Sequence, residues 1–318
     1  AAGVVASASD IFGDGDIELR ITGNKAQDGY HYVIRIQQKD TFSFSIDKLG
    51  FHASVLKDLN EILCKRSGIT FITGAVRTGK NTTAFALLNE LTKQPLKIIS
   101  YESPIEVLMN FSQIDYFGNQ ESLLNAVRLA KKQDVNVAFI NEIPNKEVAF
   151  ALQDLANSSI HVITTMHVDR IWHLPYKLKE YFGNNYKDVI SQINGVFNQK
   201  MFDVMCPHCK AHKAVSDITT HTSTLQYLKK KNVSFVDVSI GCKECGYTGI
   251  LIGKGQPYAE HLLFTDEFKS QLLSCEFPYQ MESLIKQEVM KKHNSLEDYM
   301  LQDMQDGKLS VDELRSLL

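Results

Sequence analysis

The sequence carries no strong charge of either sign and no long apolar run. Its 318 residues have a formal net charge of −3, which gives no general indication of binding to nucleic acid or to an anionic membrane surface. No segment approaches the roughly 18 uninterrupted apolar residues of a membrane span, and no signal peptide is visible. We therefore expect a soluble cytoplasmic protein with no membrane span and no nucleic-acid partner.

The sequence also lacks an initial Met, internal repeats and low-complexity segments. The start at Ala1 is typical of a truncated or processed beginning. The apolar fraction of 44% is sufficient to bury a full core, and the length suggests two domains with a small third.

The stretch Gly74–Thr83 is the most informative part of the chain. It follows the apolar run 69–72 and precedes a helical pattern, and this order of strand, glycine-bounded loop with a lysine, and helix is the context of a phosphate-binding P-loop. The N–H groups of the loop and the helix N-terminus would bind phosphate oxygens, and Lys80 would reach the outer phosphates. Asn81 departs from the pattern, which has a Mg²⁺-binding Ser or Thr after the lysine. The nucleotide-binding residues predicted here are Gly74, Thr78, Gly79, Lys80, Asn81 and Thr82.

Apolar strand patterns alternate with helical patterns from residue 68 onward. The strand patterns cover 69–73, 96–101, 135–141 and 160–166, and the helical patterns between them cover 80–92, 121–133 and 146–157. This alternation predicts an α/β fold whose mostly parallel sheet is covered on both faces. Since ligands bind at the carboxyl ends of the strands in such sheets, the residues that follow the other strands should carry the chemistry.

Glu102, Glu142 and His167 each follow or end one of these strand patterns. An acid after an apolar strand is typical of the second half of a P-loop ATPase site, where it positions Mg²⁺ or polarises the attacking water. Any one of these residues alone is better explained as a cap or turn residue. Three of them downstream of one P-loop favour an active site.

The two ends of the chain have different patterns. Residues 1–47 alternate short apolar runs with turn signals, which predicts a small and incomplete β domain. Residues 261–318 have helical patterns at Phe264–Ser274, Tyr279–Lys292 and Val311–Leu318. The predicted organisation is an N-terminal β segment at 1–47, a P-loop core at 48–205, a four-cysteine subdomain at 206–260 and a helical region at 261–318.

Only 6 cysteines occur, and four of them form two C-x-x-C pairs, Cys206 with Cys209 and Cys242 with Cys245. Without a secretory signal this spacing favours metal in a reducing compartment over disulfides. Two such pairs make a tetrahedral zinc site, which is structural because four thiolates leave no position for water. A redox pair and free thiols remain alternatives, although a redox C-x-x-C would normally open a helix after a strand. The other two cysteines lie in apolar helical patterns and are predicted to be core residues.

With these motifs in one order, the chain resembles the type II secretion and type IV pilus assembly ATPases over roughly residues 14–318. Tyr101–Glu106 resembles the family's aspartate box, in which an acid activates water. Ile140–Ile143 resembles its Walker B motif, and Thr164–His167 resembles its histidine box, which senses the terminal phosphate. The paired cysteines favour the assembly and secretion branch, since the retraction motors lack this zinc element.

The resemblance implies an enzyme that hydrolyses ATP with Mg²⁺ and couples hydrolysis to the extrusion of pilins or pseudopilins. Family members are cytoplasmic homo-hexamers, peripheral at the inner membrane, where they dock on a platform protein and other components of the machinery. It implies catalytic roles for Glu102, Glu142, His167 and Arg128. It also implies that Arg35, in the N-terminal segment, and Lys132 approach the phosphates.

The departures from the family pattern fall mainly at positions that have a chemical role in the family. Asn81 replaces the Mg²⁺-binding hydroxyl, Ser103 replaces the aspartate-box Asp, and Lys132 replaces an arginine that contacts phosphate through a planar fork. Losing one well-placed transition-state group typically costs roughly 10²–10³ in rate. The sequence is therefore compatible with an active motor, with a nucleotide-binding subunit impaired in hydrolysis that has a structural or regulatory role, and with a protein that binds no nucleotide. A nucleic-acid translocase is disfavoured by the acidic balance.

Overall fold

The computed structural model, which describes residues 3–4, 17–38, 45–218 and 220–317, is built around a seven-stranded sheet. The strands are β1 (Gly3–Val4), β2 (Ile17–Ala26), β3 (Gly29–Gln38), β4 (Gly68–Gly74), β5 (Ile98–Glu102), β6 (Ser112–Asp115), β7 (Val137–Ile140), β8 (His161–Met166), β9 (Ile193–Met205), β10 (Lys210–Ala214), β11 (Phe235–Ser239) and β12 (Ile250–Leu263). The α-helices are α1 (Ala53–Ile62), α2 (Lys80–Leu91), α3 (Gln120–Ala130), α4 (Lys146–Asn157), α5 (Leu174–Phe182), α6 (Tyr186–Gln192), α7 (Thr222–Lys230), α8 (Asp266–Ser274), α9 (Pro278–Lys291) and α10 (Leu296–Gln305).

The large sheet has the order β12-β9-β4-β8-β7-β5-β6. All of its neighbouring pairs are parallel except β9 with β12, which is antiparallel. The predicted α/β fold with a mostly parallel sheet is therefore confirmed. Because β4 lies between β8 and β9, the loop that follows Gly74 opens at the carboxyl edge of the sheet, next to the end of β8.

Helices cover both faces of the sheet, because its inner strands are apolar on both sides. Successive residues of β4 point to opposite faces: Phe71 belongs to one apolar cluster, which includes α3 to α6, α8 and α9, and Ile72 belongs to the other, which includes α1, α2, α7 and α10. Both side chains are fully buried, and burying each such side chain stabilises the fold by about 1.5–3 kcal/mol.

Three parts of the fold did not follow from the apolar patterns. The edge strand β6 is polar and only partly buried, the long antiparallel pair β9–β12 closes the sheet on the other side, and α10 precedes the C-terminal tail, where Val311–Ser316 is a 3₁₀ helix. The predicted division after residue 260 falls inside β12. Each of these elements depends on strand pairing or packing with other parts of the chain, which a local apolar pattern does not show.

The two cysteines outside the C-x-x-C pairs differ in burial. Cys275 is buried, as predicted, but Cys64 is exposed, so the prediction of a core residue there is wrong. Helix α1 ends at Ile62, and Cys64 lies in the turn that follows it, where the helical periodicity no longer directs side chains to the core.

The described N-terminal residues form a three-stranded antiparallel sheet of β1, β2 and β3. Strands β2 and β3 make a hairpin that closes between Ala26 and Gly29. The predicted strand pattern in this segment is confirmed. Among the described residues, no helix has both the length and the apolar character that crossing a membrane demands.

A buried carboxylate fixes α10 to the rest of the molecule. Asp303 on α10 accepts hydrogen bonds from Tyr258 Oη at 2.7 Å, from Lys308 Nζ at 2.9 Å and from His52 Nε2 at 3.1 Å. Burial alone would raise the pKa of Asp303, but the hydrogen bonds from its three partners outweigh burial and lower this pKa to about 2. The ionised carboxylate therefore stabilises the contact between α10, β12 and the segment before α1.

We expect Asp303→Asn to lower the free energy of unfolding at pH 7 by about 2 kcal/mol. A depressed pKa contributes stability above the unfolded-state value of 3.8 and loses it as the pH falls toward about 2. Urea unfolding from pH 7 to pH 2 measures this difference, which should shrink below pH 4. The control is Asp306→Asn, which removes the exposed second partner of Lys308. A pH-independent effect of Asp303→Asn would contradict the prediction.

Candidate nucleotide-binding and metal sites

Two glycines shape the loop between β4 and α2. Gly74 has a φ of 139°, and a Cβ built on it would lie 2.3 Å from the backbone oxygen of Gln199 on the neighbouring strand β9. Gly79 has a φ of 82° and is the N-cap of α2. Since both positions favour glycine, the loop turns tightly at each end and leads directly into the helix N-terminus.

Lys80 lies in the first turn of α2 and folds back over the loop. Its Nζ donates hydrogen bonds to the backbone oxygens of Gly74 at 2.9 Å and Ala75 at 2.6 Å. Burial lowers the pKa of Lys80, and the nearby charge of Glu142 raises it and partly compensates. The ammonium group is thus held at the loop, where a phosphate oxygen could replace a carbonyl oxygen.

The other predicted loop residues have different environments. Thr78 is buried, and its Oγ1 donates to the backbone oxygen of Ala75 at 2.9 Å, so this side chain supports the loop from within. Asn81 is half-buried and Thr82 is exposed. The buried Thr83 hydroxyl accepts a hydrogen bond from Gln199 Nε2 at 2.7 Å, which ties α2 to β9.

His167 and Glu142 meet the same loop from the ends of β8 and β7. His167 Nδ1 lies 3.1 Å from the backbone oxygen of Gly74, and its Nε2 lies 3.5 Å from Glu142 Oε1. Because the Gly74 oxygen is an acceptor, Nδ1 is the donor in the first contact. The structure therefore brings together Lys80, Glu142 and His167, three of the residues that the sequence singled out.

The acid at the end of β5 has a different position from the one its motif suggests. Glu102 is 0% exposed, and its Oε1 accepts hydrogen bonds from Ser100 Oγ at 2.6 Å and Gln113 Nε2 at 3.0 Å. Burial raises the pKa of Glu102, and these two hydrogen bonds only partly offset that effect. Gln113 also donates to the backbone oxygen of Val107 at 2.9 Å. Glu102 thus supports the loop that follows β5.

Glu106, which lies four residues after Glu102, had no separate role in the sequence-based prediction. Asn81 Nδ2 donates to Glu106 Oε2 at 3.4 Å, so the side chain at the usual hydroxyl position of the P-loop contacts this second acid. The signal for Glu106 was its place in the Tyr101–Glu106 motif, which contains two glutamates. Only the path of the loop distinguishes the buried glutamate from the one beside the P-loop.

Asn198 is a second residue that the sequence did not single out. It is buried on β9, next to the P-loop strand, and its Nδ2 donates to Thr73 Oγ1 at 3.0 Å and to the backbone oxygen of Val168 at 2.8 Å. One amide thus links the end of β4 to the segment that carries His167. Polar residues at the end of an apolar strand pattern, Asn198-Gln199, were the available signal.

The three remaining predicted cations are Arg128, Lys132 and Arg35. Arg128 lies in the last turn of α3 and Lys132 just beyond it, and both are exposed. In the described part of the chain, the side chain of neither residue has a hydrogen bond or an ion pair. Arg35 lies on β3 with its backbone opposite Arg20, and its side chain is outside the described residues. Their predicted contacts with phosphate stay predictions.

The four paired cysteines form one cluster. The Sγ atoms of Cys206, Cys209, Cys242 and Cys245 all lie within 4.8 Å of one another. The separations of three pairs are 3.8–3.9 Å, and sulfurs at about 2.3 Å from a tetrahedral ion would lie about 3.8 Å apart. The donor set therefore fits a tetrahedral metal ion that prefers thiolates.

Backbone donors point at this sulfur cluster. The N–H groups of Cys242 and Gly249 each lie 3.2 Å from Cys245 Sγ, and they lower the pKa of its thiol. Ser239 Oγ lies 3.0 Å from Cys209 Sγ. At Cys245 the two backbone donors favour the thiolate, the form that binds a metal ion, whereas burial raises the pKa of the Cys206 thiol to about 11.

Comparison with known proteins gives a match over almost the whole chain. The model of the family described as type II/IV secretion system protein matches residues 10–315. The chain belongs to this family.

Among curated relatives, the chain is 24% identical over 304 residues to a putative type II secretion system protein E of Escherichia coli. It is 25% identical over 284 residues to the type IV pilus assembly ATPase PilB of Thermus thermophilus. These matches cover 94% and 87% of this chain, but only 59% of the first relative and 31% of the second. The chain thus spans less than two thirds of either relative.

Two solved structures have the same fold. The Legionella pneumophila ATPase DotB superposes with a TM-score of 0.68 at 17% identity, covering 95% of this chain and 73% of DotB. The pilus retraction motor PilT with bound ADP superposes with a TM-score of 0.68 at 15% identity, covering 100% of this chain and 77% of PilT. At these identities the likeness concerns the fold.

Proposed function

We propose that this chain is the ATP-hydrolysing core of a motor for type IV pilus assembly or type II secretion, which couples hydrolysis to the extrusion of pilins or pseudopilins. The observation that carries the proposal is the convergence of Lys80 and His167 on the Gly74 carbonyl, with Glu142 beside His167. Family membership and the shared α/β fold support it.

The division of roles follows from exposure and contacts. Loop N–H groups, the N-terminus of α2 and Lys80 bind the phosphates. When bound, Mg²⁺ would neutralise charge on the phosphates, with Asn81 and Glu142 as the nearest candidates to hold it. Glu106 rather than Glu102 polarises the attacking water, because Glu102 is fully buried while Glu106 contacts Asn81. His167 positions the terminal phosphate.

A specific contact favours a second candidate function, a nucleotide-binding subunit of the same machinery that is impaired in hydrolysis. The amide N–H₂ of Asn81 donates to Glu106, so the side chain at the position of the usual metal-binding hydroxyl is already engaged in a hydrogen bond. An amide oxygen is a weaker Mg²⁺ ligand at this position, and losing one well-placed transition-state group typically costs roughly 10²–10³ in rate. Binding would persist, since the loop and Lys80 are intact.

Assembly, location and domain organisation belong to the same proposal. The chain works as a homo-hexamer in the cytoplasm, docked at the inner membrane on a platform protein and without nucleic acid, and Arg35, Arg128 and Lys132 approach the phosphates in that ring. Its organisation is a β segment at 1–47, a RecA-like P-loop core at 48–205, a zinc subdomain at 206–260 and a helical region at 261–318. The four-cysteine cluster holds a structural Zn²⁺.

We expect Mg²⁺-dependent ATP turnover that Lys80→Ala abolishes, because Lys80 is the cation held at the loop. Phosphate release by the assembled protein, with and without Mg²⁺, measures this activity, and Arg77→Ala, an exposed loop cation, is the matched control. Release no higher than that of Lys80→Ala would exclude the motor. Asn81→Thr then separates the two candidates: a rise of about 10²-fold or more supports the impaired subunit, whereas unchanged and already high turnover supports the motor.

Glutamine variants distinguish the two acids of the Tyr101–Glu106 motif. We expect Glu106→Gln to lower kcat by about 10²–10³-fold with little change in KM, because it removes a water-polarising carboxylate. Glu102→Gln should lower the thermal stability or the order of the 103–111 loop more than it lowers kcat. Steady-state kinetics and thermal unfolding of both variants measure this. A larger loss of kcat in Glu102→Gln would return the catalytic role to Glu102.

Metal analysis tests the cysteine cluster. We expect about one zinc per chain after purification without chelators, and Cys206→Ser should lose the metal and expose the 206–249 segment to proteolysis, because metal binding and folding are coupled. Cys275→Ser, a buried cysteine outside the cluster, is the control and should keep the zinc. Zinc well below one per chain, together with four thiols that oxidise in pairs, would favour the redox alternative.

A further inference from the structure

A buried arginine, Arg170, lies three residues after His167 and is not among the described residues that contact the P-loop. Arg170 is 8% exposed and precedes the short 3₁₀ helix Ile171–His173. Its Nη2 donates to both carboxylate oxygens of Glu297 at 2.8 Å, and it forms an ion pair with Glu260, which is fully buried. Its guanidinium also lies 4.1 Å from the ring centroid of Trp172.

Burying the charged guanidinium of Arg170 costs free energy, because the group loses its hydration. Stability alone therefore explains its presence poorly. One cation faces two carboxylates, and apolar residues of similar volume would often stabilise such a position equally well. The planar guanidinium of Arg170, unlike a lysine ammonium, lies over the Trp172 ring while one nitrogen, Nη2, faces both carboxylates. Glu260 adds a further constraint, because its Oε2 accepts the backbone N–H of Ile171 at 3.0 Å. The path of the chain from His167 to Ile171 is therefore set by Glu260 and Glu297.

The same segment is anchored to the P-loop strand at its other end. Asn198 holds the backbone oxygen of Val168 and the hydroxyl of Thr73, one residue before Gly74. Glu260 is directly opposite Asn198 in the β9–β12 ladder. The two residues that anchor the 167–170 segment, Asn198 and Glu260, thus form one cross-strand pair of the sheet. A shift of His167 would therefore disturb contacts with the sheet as well as the conformation of the loop.

Glu297 links Arg170 to helix α10, which lies outside the sheet. It lies in the first turn of α10, whose N-cap Ser295 accepts the N–H of Asp298 and whose residues Leu296 and Met300 are fully buried. A helix packed in this way moves as a unit. A change at Arg170 therefore reaches α10 through the contacts of Nη2 with both oxygens of Glu297.

We infer that Arg170 is a positioning residue that holds His167 against the P-loop and couples the nucleotide-bound state of that site to helix α10. The inference rests on the proposed function, because it takes His167 to contact the terminal phosphate. Its partners are Glu260 on β12 and Glu297 on α10, and no other function is assigned to either.

Glu297→Gln is the main test, because it weakens the link to α10 and leaves the buried pair of Arg170 with Glu260. The matched control is Glu288→Gln, the same change on α9, where Glu288 pairs with Lys291 and Lys292 and does not contact Arg170. Arg170→Lys, which keeps the charge without the planar guanidinium, is the conservative variant. Binding of the β,γ-imido analogue of ATP with Mg²⁺, hydrogen exchange of α10 with and without that analogue, and steady-state kinetics are measured for each.

In the unaltered chain and in Glu288→Gln, we expect the ATP analogue to change the hydrogen-exchange protection of 294–305. Glu297→Gln should bind the analogue but lose this change, with kcat lowered about tenfold and KM nearly constant, and Arg170→Lys should lie between. A merely structural role would lower stability without removing the nucleotide-dependent difference. Retention of the full protection change in Glu297→Gln, or its absence from the unaltered chain despite binding, would overturn the inference. Absence of analogue binding in every variant would instead show that the proposed function itself has failed.

Discussion

The backbone oxygen of Gly74 accepts hydrogen bonds from Lys80 at 2.9 Å and from His167 at 3.1 Å. Both contacts depend on the close approach of Gly74 to Gln199 on β9, which leaves no room for a side chain. A larger residue would displace the loop and disrupt the contacts of both side chains at once. The arrangement of the whole site, including the position of Glu142 beside His167, therefore rests on one glycine packed against a neighbouring strand.

Burial decides which acid is available to a ligand at this site. Glu102 and Glu106 are four residues apart, yet the first supports the loop after β5 through Gln113 and the second contacts Asn81. A carboxylate sealed from water and held by two donors is suited to fixing a loop, whereas a carboxylate beside the P-loop is suited to chemistry. The unusual Asn81 belongs to the same contact, so its effect and that of Glu106 are coupled.

Strand β9 joins the two candidate sites. Asn198 and Gln199 contact the P-loop region, and the strand ends at Met205, immediately before the first cysteine of the cluster. The described residues from Cys206 to Gly249 contribute four buried side chains to the two main apolar clusters, namely Val215, Leu228, Val233 and Val236. A bound metal ion would supply the cross-link that a small core cannot, which is the usual reason for a structural site in a short segment.

Periodicity, glycine placement and short-range spacing are local properties, so the α/β class, the glycine-bounded loop Gly74–Thr83, the strand-end positions of Glu142 and His167 and the two C-x-x-C pairs could be predicted from the sequence. The closing of the sheet by β9 and β12, the burial of Glu102 and the contact of Arg170 with α10 are seen only in the folded chain. These features depend on contacts between residues tens to more than a hundred positions apart, for which one sequence carries no local signal.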